Sequence, residues 1–345
     1  MKFILAIFVI ILLITPASAL DITAPTVPEE AADFMPQDSS DFPQGLLELA
    51  QQALTAIVPH LKEAGLICGK ILVIILLISI LDHFSETVVR VSRLVGSAAI
   101  AFLLLGSTDT LIQLGSETVE ELSQYGKLLL PVMTGALAAQ GGLTSSGAMY
   151  MGTAIFDTAL SSAIANLLVP GIYLFLVMSI ANAALKEDIL GRFQSTVKWL
   201  ITWCLKIILY VFTGYMGITN VISGTTDAAA LKAAKLTISG AVPVVGSILS
   251  DASESVLVSA ALVKNSAGVY GILAILALCI GPFLKIGAHY LMLKLTYAVS
   301  GTIGSKELTG LIGGFSTAMG LLLAMTGSVC LFLLISTVCF MKGIL

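Results

Sequence analysis

The chain has 345 residues, 57% of them hydrophobic and 11% charged, with a mean hydropathy of +1.01. Soluble domains carry roughly 25% charged residues, so the composition excludes an ordinary soluble globular protein and makes lipid the main solvent. A net charge of −4 lacks the basic footprint that nucleic-acid binding needs, so no nucleic-acid partner is expected.

Residues 1–19 read as a secretory signal peptide. Lys2 gives the positive end, Phe3 to Ile14 the apolar core, and Ala17-Ser18-Ala19 a small-residue cleavage site. If uncleaved, the same segment is a membrane anchor, and on either reading residues 20–44 lie outside the cytoplasm. Asp21, Glu29, Glu30, Asp33, Asp38 and Asp41, with four prolines, make that stretch an acidic, Pro-rich extracytoplasmic tether expected to be disordered.

Residues 45–115 read as an amphipathic helix followed by two spans. Gly45 to Glu63 gathers its Leu, Ile and Val residues on one helical face, suited to lying along the membrane or docking on a bundle. Leu66 to Leu81 and Leu94 to Leu114 approach the ~20 apolar residues a crossing needs. Four further spans are expected at Asn166 to Leu185, Trp199 to Ile218, Val269 to Leu295 and Phe315 to Phe340. The fold class is therefore all-α, a polytopic membrane protein with about six transmembrane helices. Basic residues set the orientation: Arg90, Arg93, Lys186, Arg192 and Lys198 fall on the cytoplasmic side if Pro131 to Asn166 enters and leaves from the opposite one.

That segment opens with "PVMTGALAAQGGLTSSG", almost free of bulky side chains. Small residues let backbones approach closely, and Gly permits conformations closed to other residues. Pro131 and Pro170 are 39 residues apart, as are Pro243 and Pro282, and both pairs open with Pro-Val. Each is followed by an apolar span, then a Lys-Glu turn at Lys186 or Lys306. The pattern predicts an internal duplication, 116–219 and 226–341, with one re-entrant or surface hairpin in each unit. Pro131, Gly135, Gly141, Gly142, Gly147, Pro243 and Gly246 are the candidate hairpin, packing or pathway residues. Bulk at Gly141 or Gly142 should be intolerable, whereas Gly171 is expected to face lipid and accept it.

No His, Cys or acidic cluster has metal-ligand spacing, and no phosphate loop occurs. Ser-Gly dipeptides with a lone His289 are too common to make a hydrolase, so no enzyme activity, cofactor or metal is expected. The five cysteines sit in apolar runs and read as small hydrophobes. Ionisable groups within apolar segments are costly and mark pathways. Asp157, Asn166, Asp251, Glu254, Lys264 and Asn265 are the polar-pathway candidates, with interfacial placement as the alternative for Asp251, Glu254 and Lys264.

The run from Ser239 to Leu273 carries Pro-Val-Val-Gly, Ser250-Asp251-Ala252 with Glu254, and Lys264-Asn265 followed by Gly268 and Gly271, then Pro282 and Lys285. It resembles the stage III sporulation protein AE family of endospore-forming bacteria. The resemblance implies a multi-pass protein of the mother-cell membrane around the forespore, within a channel or secretion-like complex. Implied partners are a cytoplasmic ATPase, ring-forming subunits of the same operon and a forespore-membrane protein, besides the lipid bilayer. Two other readings stand beside it: an autonomous secondary transporter with a midplane substrate site, and a purely structural membrane scaffold.

Overall fold

The computed structural model describes residues 25, 27, 29–36, 42–81, 86–185, 188–241 and 246–342, without the side chains of 29, 30, 86, 185, 188, 189, 220, 223–241 and 246–264. Among the described residues the chain is all-α. A short helix, α1 (Glu29–Ala32), precedes α2 (Phe42–Leu81) and α3 (Glu86–Ala139). Then come α4 (Leu143–Ala163), a π-helical turn (Ile164–Leu168) and α5 (Val169–Leu185), followed by α6 (Asp188–Ala241), α7 (Gly246–Ile303) and α8 (Lys306–Lys342). Six helical segments are long and apolar enough to cross a membrane: Phe42–Leu81, Thr87–Ala139, Leu143–Ala184, Leu190–Thr219, Asn265–Ile303 and Lys306–Lys342. The protein is a polytopic helical membrane protein.

These helices are longer than the bilayer requires. At 1.5 Å per residue, the 54 residues of α3 extend about 80 Å, against a hydrocarbon core of ~30 Å. The amphipathic segments of the sequence are therefore not separate elements. Gly45 to Glu63 and Leu66 to Leu81 form one continuous 40-residue helix with Pro59 inside it. Ser116 to Lys127 continues the span before it, and α3 runs on through Pro131.

The glycine-rich stretch is consequently mostly helix, with Gln140, Gly141 and Gly142 between α3 and α4. The turn is a Schellman closure. Gly142 N–H donates to Leu137 O at 3.1 Å, Gly141 N–H to Ala138 O at 2.9 Å, and Gly141 holds φ 95°. The left-handed residue must lack a Cβ to be unstrained. Gly142 O then accepts from Ser146 N–H at 2.8 Å, starting α4. The hairpin's arms are continuations of the flanking spans rather than an insertion between them. Pro131 lies inside α3, whereas Pro243 falls between Ala241 and Gly246, outside the described residues.

The last helix is the hub. Twenty residues of α8 are buried, among them Phe315, Phe332 and Phe340 together with Gly314, Ser316, Thr326 and Ser336. A helix apolar or small on every side belongs inside a bundle; α7, α3, α5, α6 and α4 pack around it. Close approach is bought with glycine: a Cβ on Gly314 would lie 2.5 Å from Ser179 Oγ, and one on Gly271 2.8 Å from Leu129 Cδ2. Hydroxyls tie helices across the bundle, as membrane packing favours. Thr153 and Ser336 meet at 3.1 Å, Tyr215 donates to Ala148 O at 2.8 Å, and Tyr173 to Asp109 Oδ1 at 2.7 Å.

Three expectations are corrected. Gly171 does not face lipid alone: a Cβ there would lie 3.1 Å from Ile201 Cδ1, because α5 packs on α6. Part of the tether packs on the bundle: Glu29–Ala32 is helical and Ala31 is only 1% exposed. The reason is apolar spacing: Val27, Ala31, Phe34 and Met35 reach the core despite the acidic residues between them. Gly135 and Gly147 are exposed helical positions with open space where a Cβ would stand, so tight packing does not explain them.

Candidate functional site

Asp157 is the predicted residue that the fold turns into a site. On α4 it points into the α3 interface and is 6% exposed. Ser123 on α3 donates to Asp157 Oδ2 at 2.8 Å, while Asp157 Oδ1 has no partner among the described residues. One turn further along α4, Ser161 Oγ is also buried and unpartnered. Residues four apart share a helix face, so both oxygens belong to the same surface.

Ser161 lines a cavity of about 340 Å³ between α3 and the π turn, together with Ser116, Glu120, Ser123, Gln124 and Lys127 among others, and Asp157 is joined to that lining through its bond to Ser123. Glu120, Gln124 and Lys127 are exposed and form the mouth; Gln124 donates to Glu120 Oε1 at 3.3 Å. The π turn, with Ile164 and Ala165 in the cavity wall, begins three residues after Ser161. Such turns insert an extra residue into a helix and occur frequently at functional sites. Asn166 belongs to that turn: its Nδ2 donates to Ser162 O at 3.0 Å and Ser162 Oγ at 3.3 Å. It is exposed, so it supports the distorted backbone from outside and does not join Asp157.

The other polar candidates are not gathered here. Asn265 is exposed and is the first residue of α7 whose side chain is described, and the side chains of Asp251, Glu254 and Lys264 are not among those described. Pro243 lies outside as well, and Gly246 is the first residue of α7. Pro131 is exposed within α3. His289 is buried, its Nδ1 2.9 Å from Lys285 O one turn back, a local contact typical of a satisfied buried histidine. Ser123 and Ser161 escaped the sequence reading because serine is common in membrane helices.

A second cavity, about 330 Å³, lies where α2, α3 and α7 meet. Its polar wall holds His60, Glu117, Glu121 and Lys285, and the docked Ala31 and Phe34 cover its apolar side.

Residues 33–343 match the family described as stage III sporulation protein AE. The chain belongs to that family. A relative, the stage III sporulation protein AE of Bacillus subtilis (strain 168), is 22% identical over 263 residues, which cover 74% of this chain and 66% of that protein. The chain thus spans just under two thirds of that relative's length. No solved structure matches it. The stage III family is a sporulation family, so a sporulation role is consistent with everything above, and the matched region takes in all six candidate spans.

Proposed function

We propose that the protein is a membrane subunit of the sporulation channel or secretion-like complex that links mother cell and forespore and is required for endospore formation. The observation that carries the reading is the family match over residues 33–343, laid on a bundle of six candidate spans. On this reading it sits in the mother-cell membrane around the forespore and is not itself an enzyme. Energy comes from a cytoplasmic ATPase, with ring-forming subunits and a forespore-membrane protein as the other partners. The tether, 20–44, faces the space between the two membranes.

Affinity capture of the full-length protein from sporulating cells tests this. Recovery of an ATPase and ring-forming subunits, with loss of spores on deletion, is expected. Normal sporulation without the protein overturns it.

One observation favours a second reading. The buried carboxylate of Asp157 beside a cavity is a feature that a secondary transporter would use and a scaffold would not need. Reconstitution of the protein alone in vesicles separates the two, because gradient-driven solute uptake without partners belongs to the transporter.

A further inference from the structure

We propose that Asp157, Ser123 and Ser161 form a binding site for a small monovalent cation of the sodium class. A buried carboxylate with an unsatisfied oxygen is unstable in a low-dielectric interior unless a positive charge or donor reaches it. Asp157 Oδ1 has no hydrogen-bond donor among the described residues, although Oδ2 is held by Ser123 at 2.8 Å, and the charge of Lys127 acts on the carboxylate without contacting it. Ser161 Oγ is the second buried oxygen left over, one turn along the same face. The Ser123 hydroxyl keeps its lone pairs after donating its proton. All three ligands are hard neutral or anionic oxygens, the set suited to alkali and alkaline-earth cations rather than to softer metals.

Charge selects the monovalent class. Glu120 and Lys127, one charge of each sign, share the cavity lining and are exposed at its mouth. Asp157 supplies a single negative charge at depth, which one monovalent cation in contact with it neutralises. A divalent ion would leave a net positive charge in the same buried place and lacks the several carboxylates it normally takes. Lys127 is the competing cation, one turn from Ser123. Its exposure keeps its ammonium in the solvated mouth, so it steers and does not fill.

The test uses the purified full-length protein in detergent, and therefore stands or falls apart from the partner complex proposed above. Thermal unfolding is followed while sodium chloride replaces N-methylglucamine chloride at constant ionic strength. Because a ligand that binds only the folded state stabilises it by mass action, Tm should rise with sodium and saturate, and potassium should act more weakly. Asp157→Asn should abolish the sodium response. Ser161→Ala, which keeps the carboxylate, should move the midpoint to roughly tenfold higher sodium. A wild-type Tm indifferent to the cation overturns the site, as does an Asp157→Asn protein that still responds. If Asp157→Asn does not accumulate, an unchanged titration in Ser161→Ala overturns it equally.

Discussion

Gly152 on α4 lies directly beneath the ring of Tyr215 on α6, and the Tyr215 hydroxyl donates to Ala148 O one turn earlier at 2.8 Å. The two contacts depend on each other, because any Cβ at Gly152 would occupy the place of the ring. Gly152→Leu should therefore expel Tyr215 and break its hydrogen bond. Overpacking a close site costs about 1–3 kcal/mol, and Phe156, whose ring centroid lies 5.9 Å from that of Tyr215, would lose a neighbour. The expected outcome is a lowered Tm in detergent, with Tyr215→Phe reproducing the smaller part owed to the hydroxyl. An unchanged Tm in Gly152→Leu would mean that α4 and α6 do not meet this way.

Gly135 and Gly147 supply the opposite case. Each is helical with nothing near the position of a Cβ. Alanine at either should be neutral or stabilising by about 0.5–1 kcal/mol, since glycine inside a helix wastes backbone entropy. Membrane abundance and Tm at or above wild type are expected. A loss of spores with normal abundance would instead mark the exposed glycine as a contact for another protein.

Gly141 is sensitive for a different reason. Its φ of 95° penalises any Cβ by roughly 1–2 kcal/mol, whatever space surrounds it. Gly141→Ala should lower Tm, and Gly141→Asn should lower it less, because asparagine tolerates the left-handed region. Equal effects of the two would show that the turn relaxes to another shape.

The hydropathy of the chain disclosed how many of the described segments are apolar enough to cross a membrane, but not how long each helix is. Hydropathy sees only the stretch that lies in lipid, so Gly45 to Glu63 and Leu66 to Leu81 look like two elements although α2 runs through both. Proline misled in the same way. Pro131 and Pro243 are both followed by Val and look like matching turns, yet Pro131 lies within a helix that tolerates it. A span's lipid-facing side is also hidden, because lipid and a helix neighbour are equally apolar, and Gly171 against Ile201 is the result. Asp157 was legible from cost alone. Its partners were not, since Ser123 is 34 residues away and only the α3–α4 turn brings it close.

The same geometry makes Gly171→Leu informative. With a Cβ 3.1 Å from Ile201 Cδ1, leucine must push α5 from α6 and lose about 1–3 kcal/mol. Gly214→Leu, on α6 with nothing within 4 Å, should be nearly silent in the same Tm assay. A reversed order of the two would place the lipid boundary on the other face of these helices.

The docked N-terminal segment offers a last test. Ala31 is 1% exposed, and Phe34 reaches the Gly281 position on α7, a Cβ there lying 3.5 Å from its ring. The contact holds residues 29–36 over the cavity lined by His60, Glu117, Glu121 and Lys285. Among the described side chains apolar burial fastens it, so its strength follows the area covered, and Phe34→Ala removes a large part of that area. Ala31→Asp puts a charge at a position only 1% exposed, which the apolar contact of the segment cannot accommodate. Either change should release the segment without unfolding the bundle, because most of the core, centred on α8, comes from the other helices. Limited proteolysis of the full-length protein reads the release as faster cleavage near residue 34 at an unchanged Tm. If Phe34→Ala is cut no faster than wild type, the segment is held by something other than these apolar contacts. If Tm falls together with it, the segment is part of the bundle's core and not a strap laid over it.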